Sequence, residues 1–395
     1  MFTHKHPKSP YNILSFDGGV IRGLLTAVLL EKLEEDLQEK NPEKELKDYF
    51  DIIAGTSTGS LIACGIASGL SAKQLKGFYL ENGMKIFPNF KETLKVWLGE
   101  VIQENIDFSK LDPLHLFCQD DKNDKKFMLQ PFSDGQGLEE VIKSVFGCQE
   151  FGQLPKLVVI PSYDVYNHDA VIFKNYREEY KTMPVWEVCR ASCAAPMAFP
   201  AHVTQNKEFL KSLKVKAKTA TKAGKETTIK IPDEGIPLID GGVVANNPVL
   251  CAIAEGRKQF KDFPSVVASF GSGMALNRIT VEEAKEWGSL NWVSIVKGIP
   301  MLDVLFDGSN DANDYVAKEL LDGESEYFRF QPLLTENVKA FSADPDNLYL
   351  LVEIAEEFLK TKECKEDMSK LVKSLTSHHS LLDSMREVIP YLSQL

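Results

Sequence analysis

The sequence predicts an α/β protein with a mainly parallel central sheet flanked by helices and a helical C-terminal part. Two strand, glycine-turn, helix units stand near the start, at residues 11–39 and 51–69. Short apolar runs then alternate with helical segments (157–162, 171–173, 238–239, 266–270). After Gly271-Ser272-Gly273 the periodicity becomes mostly helical. Strands that alternate with helices make a sheet covered on both faces, and such sheets bind ligands at the carboxyl ends of their strands.

In the first unit the apolar run 11–16 stops at Asp17-Gly18-Gly19, and Leu25, Val28, Leu29, Leu33 and Leu37 follow at helical spacing. The second unit, DIIAGTSTGSLIACGIASG, ends an apolar run in Gly55-Thr56-Ser57-Thr58-Gly59 before small and apolar residues resume. A serine with glycine two residues to either side is the nucleophile-elbow pattern, because glycine admits the strained turn that exposes Oγ at a helix start. Residues 52–72 hold no charge, a length that could span a membrane. The turn and the Gly, Ser, Thr and Ala content make it a strand and a buried helix instead.

The length of 395 residues suits one elaborated domain, and 44% hydrophobic residues supply a large core. A net charge of −12 repels phosphate backbones, which argues against nucleic acid as a partner. The seven cysteines are scattered without metal-like spacing, so they read as reduced, mostly buried thiols. The first residues lack the apolar stretch of a secretory signal, which suggests a cytoplasmic protein. Between Lys207 and Lys230 eight lysines face two acids, a net +6 on an acidic chain. That window reads as a solvated hairpin or as a contact surface for anionic lipid head groups, peripheral to a membrane. Residues 71–152 read as a cap or insertion, with an amphipathic segment at 92–106 and a charged turn at 119–126. The acidic stretch 307–315, DGSNDANDY, lacks the glycine position of an EF-hand and reads as a surface turn.

A nucleophilic serine needs a base. Of seven histidines, His378 or His379 would fit the order serine, acid, histidine with Ser57 and Asp240, but SHHS in a helical pattern is more often surface. Asp240, at the end of the apolar run Leu238-Ile239 and followed by Gly241 and Gly242, is the better partner. A partly desolvated carboxyl there has its pKa raised toward values useful for a base, although aspartates also commonly bond their own glycine turn. Asp17-Gly18-Gly19-Val20-Ile21-Arg22-Gly23 offers successive N–H groups to an oxyanion. Arg22 would hold that turn or a phosphate, or form a surface ion pair.

Together DGGVIRG, GTSTG and DGG resemble the patatin-like phospholipase family, as do RASCAAPMAFPA (190–201), DGGVVANNP (240–248) and FGSG (270–273). The resemblance covers about residues 11–273. It implies a patatin-like three-layer α/β/α fold: a catalytic domain over 11–275, with a lysine-rich insertion at 207–230, and a helical extension over 276–395 packed on it. It also implies a phospholipase A-type lipid acyl hydrolase in which Ser57 is nucleophile and Asp240 base, Gly18, Gly19 and Val20 form the oxyanion hole, and no metal or organic cofactor is needed. Arg22, Gly23, Gly55, Gly59, Gly241 and Gly242 would support them. The family usually has a third glycine where this chain has Val20, whose branched side chain favours φ below zero. A Ser-Asp-His esterase and a catalytically weak lipid-binding or signalling member are the other readings.

Overall fold

The computed structural model describes residues 11–87, 131, 133–220, 232–274, 278–292, 300–335 and 338–392; for 214–220, 289–290 and 378–392 it describes the backbone alone. The chain opens with β1 (Asn12–Phe16), a 3₁₀ turn over Val20–Arg22, α1 (Gly23–Lys40), β2 (Ile52–Gly55), α2 (Thr58–Ala67) and α3 (Ala72–Ile86). Next come α4 (Gln136–Phe146), β3 (Leu157–Asp164), β4 (Asp169–Lys174), α5 (Val185–Ser192), β5 (His202–Thr204) and α6 (Lys207–Ala220). β6 (Ile236–Asp240), α7 (Gly242–Ala245), α8 (Val249–Phe260) and β7 (Val266–Phe270) follow. The last part holds α9 (Val281–Glu286), α10 (Ser289–Trp292), α11 (Pro300–Leu321), β8 (Glu326–Phe330), α12 (Pro345–Lys360) and α13 (Lys362–Leu392).

Eight strands form one sheet in the order β5-β6-β3-β2-β1-β7-β8, with β4 added on β3. The pairs β3–β2, β2–β1, β1–β7 and β7–β8 are parallel, while β3–β4, β3–β6 and β5–β6 are antiparallel. The sheet is therefore mixed and mostly parallel, as expected. Phe16 stands opposite both Gly55 and Phe270, and Phe270 opposite Phe330. The turns that follow β1, β2 and β7 thus start from one row.

Alternate residues of the strands feed two cores, as the period of two requires. Leu14 and Phe16 face a large cluster with Leu25, Leu29 and Leu33 of α1, Leu61 and Ile62 of α2, and Leu348, Leu351, Leu371 and Leu375 of α12 and α13. Tyr11 and Ile13 face a smaller one with Val249, Ala252 and Ile253 of α8 and Ala317 and Leu321 of α11. This is the three-layer arrangement. Among the described residues no helix is long and apolar enough to cross a membrane, and the uncharged run 52–72 divides into β2 and α2. The six cysteines described are free, and Cys64, Cys189, Cys193 and Cys364 are buried.

Three local expectations change. Residues 207–220 form a helix rather than a hairpin, because Phe209 and Leu213 bury themselves in the main core; residues 221–231, with Lys222, Lys225 and Lys230, lie outside the described residues. Residues 307–315 are helical, within α11, despite their turn-forming composition. The mostly helical tail also contributes an edge strand, β8, whose EYFRF sequence has the aromatic content strands favour. The segments 92–106 and 119–126, together with His4, His6 and His115, lie outside the described residues.

β8 carries the residue that ties the tail to the first turn. Arg329 Nη1 and Nη2 donate to the two carboxyl oxygens of Asp17 at 2.9 and 2.5 Å, and Nη1 also to Ser269 Oγ at 2.9 Å. Asp17 is 1% exposed. Removing one partner of such a pair strands the other charge. Arg329→Met is therefore expected to cost about 3–5 kcal/mol in urea denaturation; a loss below about 1 kcal/mol would mean the pair behaves as a surface one.

Candidate active site

Ser57 lies between β2 and α2 at φ 53°, ψ −127°, in a region that L-residues avoid. The flanking glycines are required by contact: a Cβ on Gly55 would come within 2.0 Å of the Gly59 carbonyl oxygen, and one on Gly59 within 2.6 Å of that of Phe16. The Ser57 N–H donates to Ser192 Oγ at 2.9 Å, and that hydroxyl donates to the Pro161 carbonyl at 2.7 Å. The strained backbone is thus held from behind by the end of α5. Ser192 stands within the RASCAAPMAFPA stretch, whose sequence gives no sign of this bond.

Ser57 Oγ donates to Asp240 Oδ2 at 2.7 Å, across 183 residues of chain. Asp240 Oδ1 accepts the Gly242 N–H at 2.7 Å, and the turn is fixed by Asp240 N–H to Ala194 O at 3.0 Å and Gly241 N–H to Ser192 O at 3.1 Å. Gly241 cannot carry a side chain, since a Cβ would meet the Pro161 oxygen at 2.2 Å. Burial pushes the Asp240 carboxyl up to about 7, against the pull of the Ser57 hydroxyl and the Gly242 N–H. Among the described residues neither oxygen of Asp240 bonds a histidine. His202 Nε2 faces Glu187 at 3.4 Å, His168 occupies the β3–β4 turn, and the side chains of His378 and His379 lie outside the described residues.

The DGGVIRG turn comes up against Ser57: a Cβ on Gly18 would lie 3.2 Å from that of Ser57 and 2.3 Å from Asn246 Oδ1. The Gly18 N–H is spent on the Asn246 carbonyl at 3.0 Å. The next two peptides are different. The Gly18 carbonyl accepts from Ser272 Oγ at 2.7 Å and Asn246 Nδ2 at 3.3 Å, and the Gly19 carbonyl from Arg22 N–H at 2.9 Å and Arg22 Nε at 3.3 Å. A trans peptide points its N–H opposite its carbonyl. Pinning both carbonyls therefore aims the N–H groups of Gly19 and Val20 away from these anchors, and neither donates to an acceptor among the described residues. The two form a small nest for negative charge.

Arg22 is 5% exposed and braces this turn from inside rather than forming a surface pair. Gly23 follows it under Tyr79, whose hydroxyl would lie 2.4 Å from a Cβ there. Val20 keeps its place at φ 56°, a positive value on a β-branched residue. Its side chain is buried in the main core, so packing holds the valine in a conformation glycine would adopt freely. Among the described residues no cluster of three or more His, Cys, Asp or Glu side chains is arranged to hold a metal ion.

A model of the patatin-like phospholipase family matches residues 14–253, from the middle of β1 into α8. The chain belongs to the patatin-like phospholipase family. Patatin-like protein 2 of Arabidopsis thaliana is 30% identical over 394 residues, covering 90% of this chain and 86% of the relative. Patatin-like protein 3 of the same plant is also 30% identical, covering 89% of this chain and 81% of its own length. The solved human GIVD cytosolic phospholipase A2, in complex with methyl gamma-linolenyl fluorophosphonate, gives a TM-score of 0.42 at 10% identity. It covers 93% of this chain and 59% of that one, too loose a likeness to bear on the argument. Ser57, Asp240, Asn246 and the whole glycine turn fall inside the matched stretch. Ser272, Asn310 and Arg329 fall beyond it.

Val20 offers a test of the strained turn. Val20→Gly and Val20→Ala both remove the valine side chain, but alanine keeps the penalty at positive φ. The glycine variant is expected to be at least as stable as the alanine variant, by up to about 1 kcal/mol in denaturant unfolding. A clearly more stable alanine variant would show that the turn carries no such strain.

Proposed function

We propose that the protein is a lipid acyl hydrolase of the phospholipase A type, working through a Ser57–Asp240 dyad on fatty-acyl esters of phospholipids or galactolipids. The observation that carries this reading is the 2.7 Å bond from Ser57 Oγ to Asp240 Oδ2, beside two consecutive unspent N–H groups. Family membership supports the lipid ester as substrate class.

Ser57 Oγ attacks the ester carbonyl while its proton passes to Asp240 Oδ2. The carbonyl oxygen becomes an oxyanion, for which the N–H groups of Gly19 and Val20 are the donors; each such donor is worth about 3 kcal/mol where measured. Collapse returns the proton from Asp240 to the departing alkoxide of the lysolipid or alcohol and leaves an acyl ester on Ser57. Water then gives a proton to Asp240 and attacks that ester; collapse expels Ser57, reprotonated from Asp240, and frees the fatty acid. Gly18 serves as the hinge of the donor loop rather than as a donor, since its own N–H is engaged. A lipid surface is the natural partner, and the lysines between Lys207 and Lys230 are its proposed contact.

Only ionised Asp240 is a base. With its carboxyl raised to about 7, kcat/KM is expected to rise about tenfold per pH unit below that value and to level off above it. Ser57→Ala and Asp240→Asn should each remove ester hydrolysis from folded protein, and full turnover by either would sink the dyad. The sign for stability is opposite. A carboxyl whose folded pKa is raised binds its proton more tightly in the native state, so stability falls as pH climbs from the unfolded value toward 7. Asp240→Asn, which escapes that ionisation, should gain in melting temperature relative to wild type at pH 8 and lose the advantage near pH 4. An advantage independent of pH would show that Asp240 is not the raised group.

A further inference from the structure

α11 lies along the Asp240 turn in step with it. Phe306 meets Gly242, where a Cβ would come within 2.9 Å of the ring. One helical turn on, Asn310 Oδ1 accepts from Asn246 Nδ2 at 3.1 Å, and Asn313 Nδ2 donates to the Asn247 carbonyl at 2.8 Å. Residues spaced by three and four share one helix face, so α11 presents this edge to the 242–247 segment as a unit. Asn310 is 4% exposed and Asn246 2%.

Asn246 is the residue that grips Gly18 twice. Its carbonyl takes the Gly18 N–H, and its Nδ2 donates to the Gly18 oxygen at 3.3 Å. A side-chain amide fits its pocket in two nearly isosteric orientations, with donor and acceptor exchanged. Only the one with Nδ2 toward Gly18 helps aim the Gly19 N–H; the other would set two oxygens face to face. Asn310 Oδ1, an acceptor on the second amide hydrogen, favours the productive orientation. Nothing else among the described residues accepts from Asn246 Nδ2.

We propose that Asn310 is a positioning residue for ester hydrolysis: through Asn246 it sets the direction of the Gly18–Gly19 peptide and so the oxyanion donor at Gly19. This rests on the Ser57–Asp240 reading of the site. It also makes a helix outside the family-matched stretch part of the hydrolytic apparatus. The role asks for an acceptor at residue 310 and not for an amide, so a carboxyl there should serve, whether ionised or through its C=O when protonated.

The test uses the full-length chain and a short soluble p-nitrophenyl ester, comparing Asn310→Leu, Asn310→Asp and Ser57→Ala with wild type. Asn310→Leu should lower kcat by at least about tenfold, with KM within about twofold and one cooperative melting transition above the assay temperature, because the lost interaction belongs to the transition state. Asn310→Asp should recover most of that rate. If Asn310→Leu does not fold, Asn310→Ala is judged by the same criteria. The proposal falls if the apolar variant keeps the wild-type kcat, if the loss lies in KM alone, or if Asn310→Asp is no faster than Asn310→Leu. Undiminished hydrolysis by Ser57→Ala would instead overturn the dyad, whereas an inactive Ser57→Ala beside a fully active Asn310→Leu would remove the Asn310 role alone.

Discussion

Phe16, Gly55, Phe270 and Phe330 stand in one row across four parallel strands, and the site depends on that register. Because the strands end level, the turns after β1, β2 and β7 leave the sheet together, and Asp17, Thr56 and Gly271 become neighbours without further folding. The first hydrogen bonds past the row lock them: Asp17 N–H to Phe270 O at 3.0 Å and Thr56 N–H to Phe16 O at 3.1 Å. A slip of one residue would turn every side chain to the opposite core and part the turns. The two apolar clusters on either face forbid that slip, so the packing of the sheet is also what sets the geometry of the chemistry.

At the row's edge the protein gives up stability. Ser57 and Val20 hold positive φ angles, and Asp240 is a buried carboxyl that among the described residues accepts only a hydroxyl and one N–H. Strain of this kind costs on the order of 1–3 kcal/mol per residue and persists only where the surroundings over-determine it. Here the surroundings do: Ser192 fixes the Ser57 backbone, core packing fixes Val20, and Ala194 and Ser192 fix the Asp240 turn. The lack of a cationic partner among the described residues separates Asp240 from Asp17. Burial pushes both carboxyls up, but at Asp17 the Arg329 fork pulls against it and makes the residue an anchor, whereas at Asp240 only the Ser57 hydroxyl and the Gly242 N–H do so and the carboxyl rises to about 7.

What the sequence made legible was local stereochemistry. A glycine forced by a backbone contact, a strand ending at such a glycine and a helix beginning after it leave marks within ten residues, so Ser57, Asp240 and the Asp17–Gly23 turn could be read directly. Ser192, Asn246 and Ser272 sit inside or beside quoted motifs, but their work is hydrogen bonding to peptides distant in sequence, and a hydroxyl or amide gives no sign of its partner. The stretch 307–315 misled for the opposite reason. Its aspartates, asparagines, serine and glycine favour turns, yet contacts of Asn310 and Asn313 with the 246–247 segment, and burial of Ala317 and Leu321 further along, hold it as helix. Val20 was read as a side chain needing negative φ; packing overrode that preference instead of reshaping the turn.

The distribution of these anchors explains why the tail is more than a covering layer. Asp17 opens the donor turn, and its charge is met by Arg329 from β8; Gly18 is gripped by Ser272 after β7 and by Asn246, itself met by Asn310 from α11. These grips fall on the Asp17 carboxyl, the Gly18 N–H and the Gly18 carbonyl, and among the described residues none falls on the N–H groups of Gly19 and Val20. A loop whose Gly18 and Gly19 carbonyls are held from behind, and whose Gly19 and Val20 N–H groups meet no acceptor among the described residues, suits an anion arriving from the front, with little reorganisation as charge develops. That division of labour requires chain from both ends of the sequence. The glycines make the turn possible, and Arg22, Asn246 and Ser272 fix which way its peptides point.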